Sequence, residues 1–136
     1  GETKLAFCKQ LGADEVIDYK SANWTEVLKG KDYDLVFDCM GSQEDWAGSN
    51  KVLKKGCAFI SVANFTADAA ANSDNVFKNF LLKSVSQDLN ELVGLVNDSK
   101  LKPPIDSVVP FADVPAALTK SLKSQCSGKI VISVSN

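Results

Sequence analysis

Two runs decide the fold: Leu35–Met40 (LVFDCM) and Cys57–Ala63 (CAFISVA), separated by GSQEDWAGSNKVLKKG over residues 41–56. Both are continuous and apolar, the first broken only by Asp38, which is the pattern of strands covered on both faces. Gly41 and Ser42 end the first run, Trp46, Asn50 and Leu53 mark one helical stripe, and Gly56 stops that stripe. A strand, a helix of about a dozen residues and a second strand form a βαβ crossover, so the strands run parallel and adjacent with the Trp46 helix across them. The class is α/β.

Working outward, Leu5, Cys8 and Leu11 fall at helical spacing from Glu2 to Leu11, with Gly12 placed as a left-handed cap. Glu15–Tyr19 (EVIDY) has strand propensity, and Asn23 with Glu26 resembles a capping box opening a helix to Gly30. Downstream, residues 65–75 (FTADAAANSDN) are small and polar and read as a flexible loop. Val76–Lys83 reads as a strand. Ser86 is placed to cap a helix carrying Leu89, Leu92, Val93 and Val96, which Pro103 and Pro104 terminate. Ile105–Phe111 is a short strand, Asp113 caps a last helix that admits Pro115 in its first turn, and Lys129–Val134 (KIVISV) closes the chain as a strand. No internal repeat or low-complexity tract is visible.

Composition narrows the chemistry. The 136 residues are 45% hydrophobic and 24% charged, enough for one domain with a single core. A formal net charge of −2 gives no electrostatic footprint for nucleic acid or an anionic membrane. There is no histidine, and all fifteen cations are lysine, which excludes Ser-His-Asp and Cys-His nucleophiles, histidine zinc sites and arginine fingers. Cys8, Cys39, Cys57 and Cys126 are scattered, with neither metal-ligand spacing nor a disulfide framework, and point to four separate thiols in a reducing, cytoplasmic compartment. No apolar stretch approaches the roughly 20 residues needed to span a bilayer. The opening residues Gly1–Lys4 run straight into an amphipathic pattern, so the amino terminus reads as a cut through a longer polypeptide.

GADEVIDYK at residues 12–20, DLVFDCMG at 34–41, LKKGCAFISVA at 53–63, LKPPIDSVVPF at 101–111 and SGKIVISV at 127–134 occur in an order and spacing that resemble the medium-chain dehydrogenase/reductase superfamily, in its quinone oxidoreductase and zinc-binding-dehydrogenase-like branch. Each motif alone is weak; five in order carry the resemblance, which covers nearly the whole chain. It implies a partial Rossmann-type parallel sheet flanked by helices, with a C-terminal strand-helix-strand tail. Residues 1–104 would be part of an NAD(P)-binding domain, and 105–136 a segment that in the family rejoins the catalytic domain. The glycine-rich pyrophosphate turn and the preceding catalytic domain, where any zinc ligands would lie, have no counterpart in these residues.

The same resemblance implies an NADP-dependent enzyme passing hydride to a quinone or an α,β-unsaturated carbonyl. Lys4 and Tyr19 would flank the 2′-phosphate of NADPH, a lysine supplying a point charge and a tyrosine a hydroxyl and an aromatic face. Gly41 would let the backbone approach the ribose, Val62, Ala63 and Asn64 would border the nicotinamide, and Lys129 falls in a triplet near the cofactor. Ser127 stands there in place of the family's arginine. Each residue also has a plainer reading: a solvated lysine, a strand-end tyrosine, a turn glycine, a loop-capping asparagine. Asp38 is read as structural, Trp24 and Trp46 as packing anchors, and no residue is assigned as catalytic or metal-binding. Cys39, without an imidazole to activate it, is read as an inert thiol. A non-enzymatic binding module that keeps a dehydrogenase-derived fold is the alternative.

In a complete Rossmann sheet of order 3-2-1-4-5-6, EVIDY is separated from DLVFDCM by two strands. The 136-residue chain is therefore expected to pair EVIDY directly, to associate with other copies, or to depend on an upstream part of the same polypeptide, and to be inactive alone.

Overall fold

The computed structural model describes residues 2–134, with side chains from Lys4 onward. Gly1, the start of the stretch read as a cut, lies outside them. By contacts the chain forms two compact units, Gly1–Lys83 and Ser84–Asn136. Composition led to the expectation of a single core; the contacts form two units instead. This division by contacts is separate from the expected 104/105 boundary, which the family resemblance implied.

The first unit holds α1 (Glu2–Gln10), α2 (Trp24–Val27), β1 (Tyr33–Asp38), α3 (Gln43–Gly48), β2 (Leu53–Ser61) and β3 (Val76–Asn79). Its sheet has the order β1-β2-β3, and both pairings are parallel. The decisive runs are therefore adjacent parallel strands, as their apolar continuity requires. Leu35–Asp38 lies opposite Ala58–Ser61 in unbroken register, while Tyr33 pairs with Leu53, so residues 54–57 form an excursion on β2. Within it the amide of Gly56 donates to the carbonyl of Asp74 at 2.7 Å.

Trp46 of α3 is 1% exposed and packs edge-on against Phe59 of β2 (5.6 Å between centroids) and Phe77 of β3 (5.2 Å). Leu53 completes this core, and Val36 leans against it from β1. The indole N–H donates to the carbonyl of Asp68 at 2.8 Å, and Asn72 Nδ2 donates to Ser49 Oγ at 2.9 Å and to Trp46 O at 3.3 Å. Residues 65–75, expected as a flexible loop, are thereby held to α3 and include a 3₁₀ turn over Ala69–Asn72, capped by the Asp68 side chain. Small size was the misleading signal; it is what lets this segment lie close over the indole.

Other expectations need correction. Residues 15–18 are not a strand, and Tyr19 is in a turn, because EVIDY finds no ladder partner among the described residues. The direct pairing of EVIDY with the sheet does not occur. Cover on both faces of β1 is met on one only: Val36 and Asp38 face the core, whereas Leu35 and Phe37 are half exposed. The Asn23–Glu26 capping box is only half formed. Asn23 accepts the amide of Thr25 at 2.9 Å, but Glu26 pairs with Lys51, and α2 lasts one turn.

The second unit contains α4 (Ser86–Asn97), β4 (Ile105–Pro110), α5 (Val114–Leu122) and β5 (Lys129–Ser133), with β4 and β5 parallel. This is the expected strand-helix-strand tail. Ser86 is the first helical residue rather than the cap, which is Val85 without a side-chain bond; Asp113 precedes α5, also without one. Asp106 ties the unit together: it pairs with Lys120 of α5 and accepts the amide of Ser127 at 2.9 Å. Gly128 packs so closely beside Pro104 that a Cβ there would lie 2.4 Å from its carbonyl oxygen.

Replacing Trp46 by alanine is expected to destabilise the first unit by about 3–5 kcal/mol, read as a lower denaturation midpoint. The Lys120 hydrogen bond, followed by the Ser127 amide, holds the Asp106 carboxyl down to about 2. This folded-state value lies below that of an unfolded aspartate, about 3.9, so the tie stabilises above that pH and is lost as pH falls toward about 2. D106N is expected to flatten the pH dependence of unfolding of residues 84–134 across this window. NMR signals from both proteins at stepped pH would check it, and equal slopes would contradict it.

Candidate functional site

Parallel strands leave a crevice beyond their carboxyl ends, where open α/β sheets take ligands. Here an open cleft of about 1000 Å³ lies where β1 ends, lined by Tyr19–Trp24 on one side and by Val36–Ser42 with Asp45 and Phe59 on the other. A second hollow of about 410 Å³ lies between Asp14–Ile17 and Tyr33–Val36. Both run along the side of β1 that carries no strand.

The cleft is shaped by two turns. Gly41 follows β1 with φ +83°, and a Cβ there would come 2.9 Å from the carbonyl carbon and oxygen of Ala63. Glycine is thus required twice, for its left-handed backbone and for the contact with the turn after β2. Asp38, 7% exposed, sits opposite Ser61 in the ladder, and the two side chains meet on one face. Its Oδ1 accepts the amides of Met40 (2.8 Å) and Gly41 (3.1 Å), while Oδ2 accepts Gly41 (3.1 Å) and the Ser61 hydroxyl (2.6 Å). Ser61 Oγ in turn accepts the amides of Ala63 (3.1 Å) and Asn64 (2.8 Å). Asp38 therefore has the structural surroundings its buried position demands.

Of the residues singled out from sequence, Tyr19 and Gly41 line the cleft, with Tyr19 73% exposed. Val62 and Ala63 lie in the turn touching Gly41; Asn64 is buried, its side-chain oxygen accepting the amide of Thr66 at 3.0 Å, a loop cap. Lys4 is exposed on α1. Lys129 opens β5 in the second unit, its amide donating to Pro104 O at 2.8 Å. Sequence reasoning missed the pairing of Asp38 with Ser61 and the bond from Trp24 Nε1 to Asp45 Oδ1 that joins the two walls of the cleft. The helix cap at Asn23 and the Ser42-x-x-Asp45 spacing were the available signals for the second. No group of three or more metal-ligating side chains exists among the described residues, so these residues do not fit a zinc site.

Comparison with known proteins accords with this geometry. Residues 11–132 match the family model described as zinc-binding dehydrogenase. A zinc-type alcohol dehydrogenase-like protein of Schizosaccharomyces pombe is 29% identical over 94% of this chain and 41% of its own length. The chloroplast envelope quinone oxidoreductase homolog of Arabidopsis thaliana is 28% identical over 97% and 43%, respectively. The mitochondrial NAD(P)H oxidoreductase RTN4IP1 of Bos taurus is 31% identical over 93% and 38%. Among solved structures, the quinone oxidoreductase from Coxiella burnetii superposes with a TM-score of 0.84 at 24% identity, over 99% of this chain and 43% of that one. The chain thus spans about two fifths of the length of these relatives. A match over nearly its whole length, on a parallel α/β framework with the ligand crevice of that fold, makes the chain a member of the zinc-binding dehydrogenase family.

Proposed function

We propose that this chain is the dinucleotide-binding portion of an NADPH-dependent oxidoreductase that reduces a quinone or an α,β-unsaturated carbonyl compound in the cytoplasm. The observation that carries the reading is the open cleft at the carboxyl end of β1, bordered by Gly41, whose positive φ and missing Cβ let the turn after β1 close against Ala63. When bound, the nicotinamide supplies the hydride. This chain's part is to bind and orient. Tyr19 offers a largely exposed ring and hydroxyl on the cleft wall, suited to a purine and its ribose phosphate. Lys4 would add a point charge toward the 2′-phosphate, and Gly41, Val62, Ala63 and Asn64 would border the sugar and nicotinamide. Relatives named for NAD(P)H and for quinone support the same chemistry. Partnership with an upstream segment or with further copies would supply the pyrophosphate cradle and the substrate half of the cleft. Four unpaired thiols suit the reducing compartment.

A polypeptide extended to include a glycine-rich turn is expected to prefer NADPH to NADH. Lys4→Ala removes one charge-assisted contact and should raise the Michaelis constant for NADPH roughly tenfold while leaving NADH kinetics unchanged. Equal losses with both cofactors would make this lysine structural. The 136-residue chain alone should show no turnover; quinone reduction by it would overturn the division of labour. No dinucleotide affinity in the extended protein would favour the non-enzymatic module.

A further inference from the structure

Ser61 is wholly buried, and Asp38, although it borders the cleft, is 7% exposed. Among the described residues, the hydrogen bonds of their side chains run to the two turns or to each other. A serine hydroxyl has one proton and two lone pairs. Facing a carboxylate, which only accepts, Ser61 must point its proton at Asp38 Oδ2, and its lone pairs are then left for the amides of Ala63 and Asn64. The carboxylate spends its remaining capacity on the amides of Met40 and Gly41. Four backbone amides from two turns thus hang on a single side-chain hydrogen bond of fixed polarity. Beside it, the amide of Val62 donates to Asp38 O at 3.0 Å, and Gly41 rests against Ala63.

We propose that Asp38 and Ser61 form a polar clamp that locks the turns after β1 and β2 into one rigid unit, and are thereby positioning residues for the dinucleotide, acting through Gly41, Ala63 and Asn64. The positioning role rests on the functional reading above; the clamp itself does not. An asparagine at position 38 would keep the shape but turn a donor toward Ser61 Oγ, giving that oxygen three N–H groups for two lone pairs. An alanine at position 61 would remove the link.

Two measurements test this. In the extended oxidoreductase, S61A and D38N should each raise the NADPH Michaelis constant roughly tenfold or more, with kcat within about threefold, and the double variant should be no worse than about threefold beyond the weaker single variant, as for groups acting as a unit. Multiplying losses, or a lowered thermal midpoint with an unchanged Michaelis constant, would overturn the positioning role. In the 136-residue chain, amide hydrogen exchange followed by NMR should quicken at least about tenfold in S61A at Met40 and Gly41 as well as at Ala63 and Asn64. Quickening confined to Ala63 and Asn64 would overturn the clamp. Should S61A unfold, D38N, which keeps the side-chain shape, gives the same reading in reverse: quickening must reach Ala63 and Asn64. If the unaltered extended protein ignores NADPH, the functional reading and the positioning role fall together, while exchange still decides the clamp.

Discussion

A carboxylate withdrawn from water must be supplied with donors, and at Asp38 this demand organises the end of the sheet. The donors come from its own following turn and from the strand beside it, so they are available only if β1 and β2 lie parallel with Asp38 opposite Ser61. That register depends on the excursion at residues 54–57, which absorbs the mismatch between Tyr33–Leu53 and Leu35–Ala58. A slip of one residue would turn Phe59 away from Trp46 and leave Asp38 facing a hydrophobic neighbour. Polar satisfaction and aromatic packing therefore select the same alignment.

The aromatic side of this agreement is local and dense. Trp46, Phe59 and Phe77 form three ring contacts, two edge-on and one stacked, drawn from a helix and two strands. Around them Ser49 and Asn72 bury polar groups that bond to each other and to the Trp46 carbonyl. The second unit contrasts with this. Among the described residues Ala117 is its one buried apolar side chain and α4 has none, while Asp106 links β4 to Lys120 of α5 and to the Ser127 amide.

How far the sequence revealed this follows from the range of each interaction. LVFDCM and CAFISVA carry their pattern within a few residues, and the parallel pair was legible from them; the helix between them is shorter than expected, Gln43–Gly48 with a 3₁₀ turn at Ser49–Lys51, and Leu53 and Gly56 of the expected stripe belong to β2. EVIDY has equal strand propensity, but a strand is completed by a neighbour, and propensity cannot furnish one. Residues 65–75 look loose by composition because their anchors, the Trp46 indole and Ser49, lie some twenty residues away in sequence. In the cleft, Gly41 was legible as a turn glycine at a strand end and Tyr19 through family likeness. The partnership of Asp38 and Ser61 was hidden, since it follows from a register set by an irregularity that no alternation pattern announces.

The two tryptophans occupy opposite environments: Trp46 is sealed in the aromatic core, while Trp24 is half-buried on the cleft wall beside Tyr19. Nature has thus installed a pair of intrinsic optical probes of different polarity. Emission from the wetter indole would answer to quenchers and to whatever enters the cleft, and that from the buried one to the integrity of the core. Ligand entry and unfolding would then leave distinguishable spectral signatures in a protein carrying no label.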